Sequence, residues 1–207
     1  MIKACHHWFY DTFFNFYIHR ILKKDFHAIN IFGEWDVPDE SSNLVIGNHV
    51  SWWDGFWVYC LNKRFLKKRF HVMMLQEQLN DRKFLRRIGA FSIYPGTRSV
   101  LESLNYTVEK LKEPGNIVLM YPQGKIASFS AGVLPFQPGV EHVIKKSGVE
   151  KVLFYAAFVD FFEQRKPTLN IYLSDISTNK DKPLQVEDQF RDFYEDSLKK
   201  QVDFFRG

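Results

Sequence analysis

Seven short apolar runs constrain this chain more than any other feature it has. They read "INIFGEW", "LVIG", "HVMML", "FSIY", "NIVLMY", "VLFYAAF" and "LNIYLS". Near-continuous apolar runs of this length are typical of strands covered on both faces. Between or after them lie stretches with helical spacing near 52–69, 78–88, 98–112, 136–147 and 186–205. The alternation predicts an α/β fold with a largely parallel, mixed sheet flanked by helices. A length of 207 residues allows one substantial core. No linker rich in Gly, Ser or Pro, no repeat and no low-complexity tract divides it.

Ahead of the first strand, residues 1–24 read as an amphipathic, aromatic-rich helix. Its polar residues His7, Asp11, Asn15, His19 and Lys23 recur every four positions, so the polar stripe winds slowly round the helix. Trp8, Phe9, Phe13, Phe14, Phe16, Tyr17, Ile18, Ile21 and Leu22 fill the rest. A face this wide suits a membrane interface, and it also suits packing on the protein's own body. The expected organisation is a membrane-associating helix over 1–24 and an α/β domain over 25–207.

The aromatic share, 17% of the chain, fits either a Phe-rich core or a lipid-facing surface. Two cysteines, Cys5 and Cys60, have no metal spacing and form no disulfide framework, so a reducing compartment is expected. The N-terminus lacks a signal-peptide pattern. No apolar stretch reaches the ~18 residues of a membrane span. Between residues 61 and 87, nine basic residues face only Glu77 and Asp81, so this window holds +7 and the rest of the chain −3. That asymmetry favours an anionic partner such as a lipid surface, a phosphorylated cofactor or an acidic carrier protein. No nucleic-acid module accompanies it, so nucleic acid is not an expected partner.

The chemistry concentrates in "NLVIGNHVSWWDGFW", residues 43–57. If "LVIG" is a strand and a helix follows, His49 sits where the strand ends, the usual ligand position in open α/β sheets. Asp54 falls in the first turn of the helix, with Ser51 a plausible N-cap. A carboxylate holding one imidazole nitrogen leaves the other as a base. Spacing alone leaves a purely structural pair open. A metal site is not expected, because one His and one Asp supply two ligands and nothing completes them.

Three blocks in order carry a resemblance. "NHVSWWD" resembles the Asn-His-x-Ser-x-x-Asp signature of the glycerolipid (lysophospholipid) acyltransferase family, typified by 1-acylglycerol-3-phosphate acyltransferases. "GAFSIYPGTRS" lies where that family has a Gly-x-x-Phe-Ile-x-Arg block. "NIVLMYPQGKIASFSAGVLPFQPGVEHVIKKSGV" resembles its strand, Phe-Pro-Glu-Gly-Thr-Arg-Ser turn and following helix start. Together they cover roughly residues 25–160. The resemblance implies that His49 takes the proton of an acceptor hydroxyl and that Asp54 orients it. The hydroxyl would then attack an acyl thioester without a covalent acyl-enzyme. Asn48 and Ser51 match as turn-holding residues. Backbone N–H groups around Gly124, or at the start of the 52–69 helix, would stabilise the oxyanion.

The departures fall on acceptor binding. Gln123 replaces the family's glutamate, Lys125 its threonine and Ile126 its arginine, which removes a bidentate fork for phosphate. Pro95 stands where another arginine is expected, and Arg98 comes three residues later. Arg98, Gln123, Gly124 and Lys125 are the candidate substrate contacts. The expectation is acyl transfer from acyl-CoA or acyl carrier protein to a lysophospholipid or other lipid acceptor, with no metal or organic cofactor. It would act peripherally on the cytoplasmic side of a membrane. The alternative is a non-enzymatic lipid-binding protein on the same fold.

Overall fold

A computed structural model of the chain describes residues 1–38, 40–132, 135–178 and 185–204. The seven apolar runs become seven strands: β1 (Ala28–Phe32), β2 (Asn43–Gly47), β3 (Arg69–Leu75), β4 (Ala90–Ile93), β5 (Asn116–Met120), β6 (Lys151–Asp160) and β7 (Thr168–Ser177). They form one sheet in the order β1-β7-β6-β2-β5-β3-β4. The five strands from β6 to β4 run parallel, and the pair β1–β7 runs the other way, with β7 antiparallel to β6. The sheet is therefore mixed and mostly parallel, as the apolar pattern predicts. Both faces are covered, and all five residues of β2 are buried.

Among the described residues six α-helices do the covering: α1 (Trp8–Asp25), α2 (Asp54–Leu61), α3 (Gln76–Asp81), α4 (Ser99–Lys112), α5 (Val140–Ser147) and α6 (Val186–Asp203). On one face Leu44, Ile46, Val118 and Phe154 pack against Leu104 and Leu111 of α4, Val143 of α5 and Phe190 of α6. On the other, Val45, Leu119, Leu153 and Tyr155 meet Ile18 and Leu22 of α1 and Trp57 and Leu61 of α2. Each such side chain fully buried contributes about 1.5–3 kcal/mol.

Helix boundaries differ from the sequence expectation where side chains and tertiary pairing intervene. The first seven residues lie outside any helix, with His7 extended, and α1 starts at Trp8. Ile2 and Ser92 exchange hydrogen bonds, and the N–H groups of Cys5 and His7 donate to the carbonyls of Arg86 and Arg87. The segment thus satisfies backbone beside the β4 edge that would otherwise lie open. The 52–69 stretch is helical only to Leu66, the last turn being a wider π-type one. There the Asn62 amide bonds both the N–H and the carbonyl of Lys68, and the chain turns into β3. The 78–88 stretch is α3 followed by a tight 3-10 segment, Lys83–Ile88. It ends at Gly89 (φ +106°), where a Cβ would lie 2.0 Å from the Phe70 carbonyl oxygen. The expected last residue of α6, 205, lies outside the described residues, as do Val133 and Leu134 of the third sequence block.

His71 on β3 is buried, edge-on to His6 at 4.8 Å. Burial first, then the charges of His6, Lys110 and Arg69, push its imidazole down to about 3. An unfolded chain takes up that proton near its ordinary 6.5, whereas the folded one refuses it, so stability is full above that value and falls on acidification towards pH 3. Urea unfolding of wild type and His71→Leu at descending pH should show a shallower acid loss in the variant.

Candidate active site

The chain leaves β2 through α2 on one sheet face and leaves β5 through α5 on the other. Neighbouring parallel strands whose connections diverge in this way open a crevice at their C-terminal ends. Into it project the loops 48–53 and 121–127. The crevice continues into a cavity of about 650 Å³. Its walls are mainly apolar, with Trp52, Phe56, Tyr59, Phe70, Met74 and Leu104 among them, and His49 lies at its lining.

One oxygen organises the first loop. Asp54 Oδ2 accepts from His49 Nδ1 at 2.9 Å, from the Val50 N–H at 2.7 Å and from the Ser51 N–H at 3.0 Å. The carboxylate is fully buried at the start of α2, whereas the His49 side chain is 23% exposed. With Nδ1 donating to the carboxylate, Nε2 carries the lone pair that can take a proton. Burial pushes the Asp54 carboxyl up, and the bonds from His49, Ser51 and Val50 oppose this.

The remaining residues singled out in the sequence divide between loop-holding and lining. Asn48 donates Nδ2–H to the Ala157 carbonyl and accepts the Ala157 N–H, extending the β2–β6 pairing by a side chain. Ser51 Oγ accepts from the Trp53 N–H and so shapes the turn into α2. Gln123 donates Nε2–H to the carbonyls of His49 and Lys125. The Ala127 N–H also donates to the His49 carbonyl, so the second loop is tied directly to the histidine. Gly124 (φ +69°) and Lys125 line the cavity, as does Ile126. The Gly124 N–H is engaged with the Tyr121 carbonyl. Arg98 stays exposed at the start of α4 and is not part of the lining.

Sequence reasoning passed over Tyr121. Its ring stacks on His49 with centroids 4.2 Å apart and planes 10° from parallel. The one available signal was its place directly before the Pro-Gln-Gly turn. Trp52 also stands at the cavity, with the Arg82 guanidinium 5.2 Å over its ring. Among the described residues no group of three His, Cys, Asp or Glu side chains is arranged to hold a metal.

Replacing Asn48 by Ala strands two buried backbone groups of Ala157. Unfolding in urea should show a loss of about 2–4 kcal/mol.

The sequence profile of the Acyltransferase family matches residues 28–155, more than half of the chain and the whole crevice described above. No curated protein matches the chain. Among solved structures it is similar to the 1-acyl-sn-glycerophosphate (LPA) acyltransferase PlsC of Thermotoga maritima. That similarity has a TM-score of 0.65 at 16% identity and covers 95% of this chain and 80% of the other. It establishes a shared fold.

Proposed function

The chain belongs to the acyltransferase family, and from that premise we propose that it moves a fatty acyl group from a thioester to a hydroxyl or amine of a lipid acceptor. The observation that carries the proposal is the His49–Asp54 pair at the lining of a large apolar cavity. His49 Nε2 takes the acceptor proton as the acceptor oxygen attacks the thioester carbonyl carbon. Asp54 stabilises the imidazolium that forms. The tetrahedral intermediate collapses with cleavage of the C–S bond, and the imidazolium returns the proton to the departing thiolate. The acyl chain occupies the cavity, whose walls Phe56, Tyr59, Phe70 and Met74 exclude water. The proposed chemistry uses no metal or organic cofactor, and acyl-CoA or acyl carrier protein serves as donor.

Acceptor contacts are reduced to one cation. The Gln123 amide is spent on backbone carbonyls, Ile126 is aliphatic, and Lys125 is the lone charged lining side chain among the described residues. This supports a lipid acceptor held by its apolar part and a single point charge rather than by a guanidinium fork.

The surface supports peripheral action on a membrane. Trp8, Phe9, Phe13, Phe16 and Tyr17 of α1 stand exposed. Phe14 stacks on Phe84 at 5.3 Å, and Phe84 and the cavity-lining Trp52 expose further aromatic surface. Lys83 and Arg87 are exposed on the same 3-10 segment, which suits anionic headgroups on a cytoplasmic leaflet. No helix among the described residues is long and apolar enough to cross a membrane.

Purified protein given long-chain acyl-CoA or acyl carrier protein and a total lipid extract should release thiol and form a new acylated lipid. His49→Ala should lower that rate about 10²–10⁴-fold while the protein stays folded, with a melting temperature lowered by loss of the bond to Asp54. Vesicle binding without turnover in wild type would instead favour the lipid-binding reading. Replacing Trp8 and Phe16 together by Ser should weaken sedimentation with anionic vesicles by about tenfold or more and leave soluble thioester turnover intact.

A further inference from the structure

Behind the histidine lies a polar cluster that the proposed chemistry does not use. Asp54 places all three of its donors on Oδ2, and its buried Oδ1 meets no partner among the described residues. The hydroxyls of Tyr121 and Tyr155 are equally enclosed and equally without a partner. Tyr121 comes from β5's end and lies flat on His49; Tyr155 comes from β6 and crosses Gly47, where a Cβ would lie 2.4 Å from its ring. Gly47 pairs with Tyr155, and Tyr121 follows the β5 residue that pairs with Ile46, so the two rings flank the end of β2 on the sheet face that α2 covers. Three orphaned oxygens belong to this region, one an acceptor and two able to donate. That inventory suits a single internal water, which typically makes about three bonds to such groups.

We propose that Tyr121 and Tyr155 are positioning residues for the His49–Asp54 pair, both donating to one buried water that in turn donates to Asp54 Oδ1. Two phenolic protons enter the water's lone pairs, and one water proton reaches the carboxylate, which makes three bonds. The titratable groups coupled to the Asp54 charge are His49 from the adjoining loop, Tyr121 directly after β5 and Tyr155 of β6. Burial first, and then the Asp54 charge, hold both phenols well above their ordinary value, so each keeps the proton it must donate. Donation to Oδ1 keeps Asp54 ionised in a site whose burial favours the neutral acid. A phenylalanine, as in the motif that the Tyr121 turn resembles, would supply the stack without the donor.

The catalytic meaning of this cluster rests on the proposed acyl transfer, but its test needs no substrate, so the two fail separately. Histidine-¹⁵N-labelled protein is titrated by NMR as wild type, Tyr121→Phe and Tyr155→Phe, with the His49 signal assigned from His49→Asn. Removing a donor from the carboxylate destabilises the net-negative pair most, so the pair holds its proton longer. The apparent pKa of the pair should rise by about one unit in each variant. Melting temperatures should fall, because each variant loses a buried hydrogen bond to a charged network. A titration unchanged in either variant overturns the proposal. So does a raised melting temperature, because deletion of a hydroxyl that truly has no partner relieves a buried polar group. A crystal structure should place water density between the three oxygens, and hydroxyls bonded elsewhere would equally overturn it.

Discussion

The site depends on one buried carboxylate oxygen. Asp54 Oδ2 gathers an imidazole N–H and two consecutive backbone N–H groups, and those three bonds give the loop after β2 its shape. Without them the turn between a fully buried strand and the first residue of α2 would have to satisfy the Val50 and Ser51 amides elsewhere. Such amides are costly to leave unpaired away from water. The same bonds aim His49, so loop stability and the orientation of the imidazole are one property. The structural reading of the Asp–His spacing is met in this knot, and the proposed chemistry would use the same bonds.

Around it the neighbouring elements add restraint from outside the motif. Gln123 and Ala127 both donate to the His49 carbonyl, which locks the loop after β5 onto the loop after β2. Asn48 completes a strand pairing with its side chain. The Tyr121 ring closes one face of the imidazole. The histidine is thereby held by side chains from two loops on adjacent parallel strands, at the place where their connections depart to opposite faces. Rigid support of this kind suits the role proposed for His49, because proton transfer is sensitive to small displacements.

The N-terminal segment unites what the sequence separates. α1 buries Ile18 and Leu22 in the core and leaves Trp8, Phe9, Phe13 and Phe16 exposed. Its wide apolar face is therefore divided, one part packing inward and one part facing out. Residues 2–7 ahead of it serve the sheet edge, and their non-helical form follows from pairing with Ser92, Arg86 and Arg87. Amphipathic periodicity has no means of seeing those partners, which lie eighty or more positions away.

Local chemistry, read along the chain, was enough for the seven strands, because a strand buried on both faces must be apolar at nearly every position. It was also enough for His49 and Asp54, since five residues across one turn keep a pair together whatever the rest of the chain does. Helix ends were less legible, because they were decided by side-chain bonds such as Asn62 to Lys68 and by the close approach of Gly89 to Phe70. The fate of Gln123, Arg98 and Tyr121 belonged wholly to the tertiary structure. Whether an amide faces a ligand or two carbonyls, whether an arginine lines a cavity or faces water, and which ring lies against an imidazole all depend on strands distant in sequence. Those relations exist only once β2 and β5 lie side by side.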